Sequence, residues 1–145
     1  MSHHANYRAT VLSLTALVLS VPIPAAGAEQ TDFSAEDLEY FEAKVRPLLS
    51  KHCYACHSRR AKTLKAGLRL DRRDLALKGG ESGAAVVPGK PGESLLMKAV
   101  RYQKPQMPPQ GKLSNNEVNV LNEWIRIGAP WPRCGVSLGV HRSQP

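Results

Sequence analysis

Leu38, Phe41, Val45, Leu48 and Leu49 recur three and four positions apart, the spacing that gathers apolar side chains on one face of an α-helix. The start of that helix is written just ahead of it. Ser34 is a good N-cap, and Glu36 and Asp37 suit the positive end of the helix dipole. Pro47 falls inside the pattern; without an amide hydrogen, and with its ring against the preceding turn, it should kink or end the helix there. A second apolar face is made by Val118, Leu121, Trp124, Ile125 and Ile127. It follows Ser114-Asn115-Asn116-Glu117, the S-x-x-E form of a capping box, and Gly128 with Pro130 supplies its stop.

Between these two segments the pattern is weaker. Gly67-Leu68-Arg69-Leu70-Asp71 alternates, which permits a short extended segment. Leu75 and Leu77 indicate a helical turn before Gly79-Gly80, and the glycine-rich stretch to Gly92 reads as loop, with no P-loop or dinucleotide fingerprint in it. Residues 93–101 read as a short helix offering Leu95, Leu96 and Val100 to the core. There is no internal repeat and no low-complexity segment.

Residues 1–28 carry the marks of an export signal: Arg8, the apolar run from Val11 to Val21, Pro22 and Pro24, then the A-x-A sequence Ala26-Gly27-Ala28. The apolar run falls short of the ~20 residues that span a bilayer, so cleavage after Ala28 is expected and no membrane span should remain after it; an uncleaved N-terminal anchor is the alternative reading. Taking 28 residues from 145 leaves 117, enough for one small domain. The whole chain carries a net charge of +8, and losing Arg8 makes it +7. Its basic residues are scattered, its aromatics are few, and no stacking motif accompanies them, so nucleic acid is not indicated as a partner. A basic surface does suit acidic protein partners.

The first apolar face leads directly into Cys53-Tyr54-Ala55-Cys56-His57. C-x-x-C-H is the sequence form of a covalent c-type haem attachment site. Two thiols on one turn can add to the two vinyl groups of neighbouring pyrroles, and the histidine that follows then lies beneath the iron as its proximal ligand. C-x-x-C also occurs in zinc sites and redox dithiols. A zinc site calls for a second paired cluster, whereas the remaining thiol is the lone Cys134 and the late imidazole is His141; a dithiol motif calls for a βαβ unit, and none is visible. Thioether formation in bacteria occurs outside the cytoplasmic membrane, which agrees with the export signal.

A sixth ligand is expected from a rigid loop ahead of the last helix. Met107-Pro108-Pro109 sits there, and its prolines reduce the entropy lost in holding a thioether at iron. Methionine opposite histidine raises the reduction potential and fills the position that oxygen or peroxide would take. Met97 is the competitor, but Leu95-Leu96-Met97 reads as helix core. His52 stands too close to Cys53 to reach the distal side, His141 lies in the tail, and an open distal site is the remaining alternative.

The chain also resembles a known family, the planctomycete-type cytochrome c domain, usually the N-terminal domain of larger exported proteins. The resemblance rests on residues 41–49, the Cys53–His57 motif, Gly67–Asp71, Gly79–Gly83, Val87–Pro91, Ser94–Leu96, Met107–Pro109, Leu113-Ser114 and Trp124–Pro132. It implies an all-α, small cytochrome c-like domain with N- and C-terminal helices packed around one covalently bound haem c. It implies attachment at Cys53 and Cys56, with iron held by His57 and Met107. The domain would cover residues 29–132, and the tail 133–145, with Cys134, departs from the family pattern. The expected role is periplasmic or otherwise exported one-electron transfer with redox partner proteins, without enzymatic chemistry. Two alternatives stand beside it: a haem enzyme or sensor with an exchangeable distal site, and the remnant haem module of a larger exported protein.

Overall fold

The first apolar stripe folds as three consecutive helical pieces: α1 (Ala35–Tyr40), a π-helical segment (Phe41–Val45) and α2 (Arg46–His52). The computed structural model describes residues 33–103 and 105–133. The export signal at 1–28, Cys134 and His141 therefore lie outside the described residues. Ser34 caps α1 as expected, its hydroxyl accepting the Asp37 amide at 3.1 Å.

Pro47 does not end this run. It stands in the first turn of α2, where a missing amide costs little, and the helix continues to His52. The adjustment is made just upstream, where the Arg46 amide reaches back five residues to the Phe41 carbonyl. Widening the ladder by one residue accommodates the proline, because it loosens the turn that the ring would otherwise meet. Phe41, Val45 and Leu49 stay on the inner face, each at most 1 % exposed.

Helix α3 (Arg73–Lys78) and α4 (Leu95–Val100) are single short helices, and α5 (Asn115–Arg126) is the longest. Both halves of the capping box form on α5: the Ser114 hydroxyl accepts the Glu117 amide, and the Glu117 carboxylate accepts the Ser114 amide at 2.8 Å. No strand occurs among the described residues, only an isolated bridge between Gly80 and Gly83. The alternating segment at 67–71 is thus irregular. It has no neighbouring strand to complete a ladder, and Leu70 is buried from a loop.

Helix α5 packs on the π-helical segment and on α4. The join is aromatic: Phe41 lies 5.9 Å from Trp124 and 4.5 Å from Trp131, and the two indoles are 5.6 Å apart, ring centre to ring centre. Such pairs add about 0.5–1.5 kcal/mol each beyond the area they bury. The Trp124 indole N–H donates to the Pro130 carbonyl at 2.9 Å, so the chain leaving α5 folds back on its own helix. Arg73 secures the same turn by donating to the carbonyls of Ala129 and Gly128.

The glycine-rich stretch is loop, as the sequence indicates, but it is pinned. Ser94 is fully buried; its hydroxyl accepts the Val87 amide at 2.9 Å and donates to the Lys90 carbonyl at 3.0 Å. Gly79 and Gly80 answer a close approach of backbone. A Cβ on Gly79 would stand 1.7 Å from the Gly83 carbonyl oxygen, and one on Gly80 would stand 2.2 Å from that of Ala66. Among the described residues, no helix is long and apolar enough to cross a membrane.

Candidate functional site

Helix α2 delivers the chain straight into the cysteine turn. The Cys53 and Tyr54 amides both donate to the Leu49 carbonyl, and the Cys56 and His57 amides both donate to that of Cys53, at 3.1 and 2.9 Å. This closes one tight turn on which Cys53, Cys56 and His57 stand together. Both cysteines are free thiols, and neither is fully exposed. Cys53 packs against the core, and burial pushes its thiol up to about 12. A redox dithiol needs the opposite, a lowered thiol pKa in an electropositive setting. Among the described residues, which do not include Cys134 and His141, no group of three or more His, Cys, Asp and Glu side chains is placed to hold a metal ion.

A loop from Ser58 to Asp71 wraps back on this turn and fixes it from the other side. The Lys65 amide donates to the Cys56 carbonyl at 3.2 Å, and the Leu70 amide to the His57 carbonyl at 2.8 Å. Ser58, nearly buried, donates its hydroxyl to the Tyr54 carbonyl at 2.7 Å and accepts the Arg60 amide. Asp71 accepts the Arg59 amide and both nitrogens of the Arg69 fork, each at 2.9 Å. The hydrogen bonds of Arg69 in particular hold the Asp71 carboxyl below its usual range.

His57 carries the decisive contact. Its Nδ1 lies 3.3 Å from the Leu68 carbonyl oxygen. A carbonyl only accepts, so this contact places the proton on Nδ1 and leaves the lone pair on Nε2. An imidazole held through one nitrogen by a backbone carbonyl, with the other free, is the arrangement of a metal-ligating histidine. Two cysteine thiols with two residues between them, followed by an oriented imidazole, match what haem c requires of a chain, and the residues present fit the group.

Met107 comes from another part of the fold. Its amide donates to the Ala99 carbonyl near the end of α4 at 3.1 Å, and the next residue, Pro108, is buried and accepts the Tyr102 hydroxyl at 2.6 Å. The Met107 side chain is half-buried, whereas Met97 is fully buried in the core on α4. Met97 thereby has the role of core filler that its helical context indicates. His52, the other imidazole weighed, points its Nε2 at the Glu117 carboxylate 3.1 Å away and joins α2 to the cap of α5.

Several residues that shape the site have no motif of their own. Leu68 acts through its carbonyl, which no side-chain pattern reports. Arg69 and Asp71 did offer a signal, an opposite-charge pair two residues apart, which alternation alone cast as a strand. Tyr54 is a further case: its buried hydroxyl has no hydrogen-bond partner among the described residues, and burial pushes it up to about 12.

No curated protein and no solved structure matches the chain. A family model does: residues 53–111, from the first cysteine of the turn past Met107, match Planctomycete cytochrome C.

Proposed function

We propose that the protein is an exported, periplasmic monohaem c-type cytochrome that passes single electrons between redox partner proteins, with no enzymatic step of its own. The match of residues 53–111 to the Planctomycete cytochrome C family model supports the coarse function, haem-based electron transfer. The observation that carries the finer reading is the His57 contact. With Nδ1 donating to the Leu68 carbonyl, the ring is fixed in one tautomer and one orientation, and Nε2 is kept for iron. Cys53 and Cys56 would form the thioethers from the two ends of the same turn.

The bound haem supplies the one-electron redox chemistry. The chain's part is to hold it still. The Leu49, Cys53 and His57 carbonyls each take amides from the turn or from the loop that covers it, which fixes the backbone that carries the imidazole, while the Leu68 carbonyl holds the ring. Met107 would be the second residue to hold the iron; a thioether ligand would favour the reduced state and leave less room for an exogenous ligand. Little has to rearrange between the two redox states, which is what fast electron exchange asks of a protein.

An equilibrium redox titration of the mature chain, followed by its visible spectrum with and without carbon monoxide, tests this reading. A single reversible one-electron wave, with a reduced spectrum unchanged by carbon monoxide, is the expected result. Rapid carbon monoxide binding to the unmodified protein would instead support the enzyme or sensor reading.

A further inference from the structure

The positive charge, scattered along the sequence, is not scattered in its pairing. Arg46, Arg69, Arg72, Lys90 and Arg126 each face a carboxylate within 4 Å. Arg73 is engaged by two carbonyls, Arg101 by Asn122, and Lys112 by the Tyr102 ring. In contrast, the side chains of Arg59, Arg60, Lys62 and Lys65 make no ion pair among the described residues, and all four are exposed. They sit within seven consecutive positions, with no acidic residue among them.

The same seven positions hold Leu64, the one large hydrophobic side chain that is exposed among the described residues, at 41 %. This loop begins two residues after His57, and its backbone is bonded to the cysteine turn at the Lys65 amide and to Asp71 at the Arg59 amide. An unneutralised basic rim around an exposed leucine, fixed to the turn that would carry the haem, has the make-up of a recognition surface. Its charges raise the rate of encounter, and its apolar centre gives a short-lived complex something to bury.

We infer that the Arg59–Lys65 loop is the docking surface for an acidic redox protein, whose carboxylates meet Arg59, Arg60, Lys62 and Lys65 while an apolar contact covers Leu64. The inference rests on the electron-transfer reading above and adds to it the place of docking and the chemistry of the partner. A protein is favoured over a lipid surface because the loop is tied by backbone bonds to the turn bearing His57, where approach of a redox centre serves transfer. Lys44, Lys78 and Lys98 also make no ion pair among the described residues, but they stand singly along the chain, whereas this loop gathers four such cations in seven positions.

The test uses the holoprotein and an acidic flavodoxin, reduced, as a defined probe. Two variants carry the same change in net charge: Lys62→Glu/Lys65→Glu in the loop, and Lys44→Glu/Lys98→Glu away from it. Electrostatic steering is worth ~10- to 1,000-fold in rate and fades with salt. The second-order reduction rate at low ionic strength should therefore fall about tenfold or more in the loop variant, with a flattened salt dependence, and less than about twofold in the control. Leu64→Ser, which leaves the charge alone, should lower the rate a few-fold at both low and high salt. Equal losses in the two charge variants would overturn the inference, leaving only net charge. Loop-dependent binding to vesicles of anionic lipid, with the flavodoxin rate unchanged, would overturn it in favour of a membrane surface. Direct binding of flavodoxin is measured alongside; it is read without electron transfer, so a protein that fails as an electron carrier is distinguished from one that fails to dock.

Discussion

The turn that bears Cys53, Cys56 and His57 and the loop that bears Met107 are built in opposite ways. The turn is held from two sides, by the end of α2 through the Leu49 carbonyl and by the 58–71 loop through the carbonyls of Cys56 and His57, the Ser58 hydroxyl and the Leu68 carbonyl on the ring itself. The Met107 loop is held from one side. Its bonds run back to Ala99 and Tyr102 at the close of α4. If His57 and Met107 hold the iron as proposed, a ligand fixed by many bonds and one fixed by few can fail separately, so damage to the methionine side should leave attachment intact.

The sharpest way to use this difference is Met107→Ala. Haem should stay attached, the reduction potential should drop by on the order of 0.2 V, well inside the roughly 0.8 V that axial ligands command, and carbon monoxide should bind the reduced protein. An unchanged potential would move the ligand elsewhere. Ser58→Ala strikes the other side. It strands a buried carbonyl and an amide at once, so a loss of about 1–3 kcal/mol is expected, read as a drop of ~4–8 °C in Tm for each kcal/mol. Tyr102→Phe removes a single bond, to the Pro108 carbonyl, and should cost about 1 kcal/mol. Its effect should appear as easier displacement of the distal ligand more than as lost stability.

The smallest effect lies between the two helices that frame the turn. Glu117 accepts from the Ser114 amide and hydroxyl and from His52, which together bring its carboxyl from 4.5 down to about 2. A lowered carboxyl favours the folded state above its ordinary pKa, and that contribution drains away as pH falls from about 4.5 towards 2. Glu117→Gln should cost about 0.5–1 kcal/mol near neutral pH, as lost caps do, and it should flatten the acid limb of a Tm-against-pH curve over that window.

How much of this was legible in the sequence follows the same division. Caps and apolar faces are written in side chains at fixed spacings. Ser34, Ser114 with Glu117, and the buried set Phe41, Val45, Leu49, Leu121, Trp124 and Ile125 could therefore be read directly. The cysteine turn was legible because its chemistry sets its spacing. Features that depend on where a distant backbone group comes to rest could not be read: the Leu68 carbonyl under His57, the Lys90 carbonyl and Val87 amide around Ser94, and the carbonyls that Arg73 clasps. Pro47 and the 67–71 segment were legible only in part. Proline forbids a bond but does not say whether the helix breaks or widens, and alternation allows a strand without supplying its partner.

The central claim is that one haem is carried covalently on the Cys53–His57 turn. An intact-mass measurement of the mature chain, made after denaturation and extraction and followed by mapping of the peptide that holds residues 53–57, tests it most directly. The account requires a single haem increment on the chain, located to that peptide, with both thiols consumed. An unmodified Cys53 and Cys56, from a host whose control cytochrome matured normally, would contradict it.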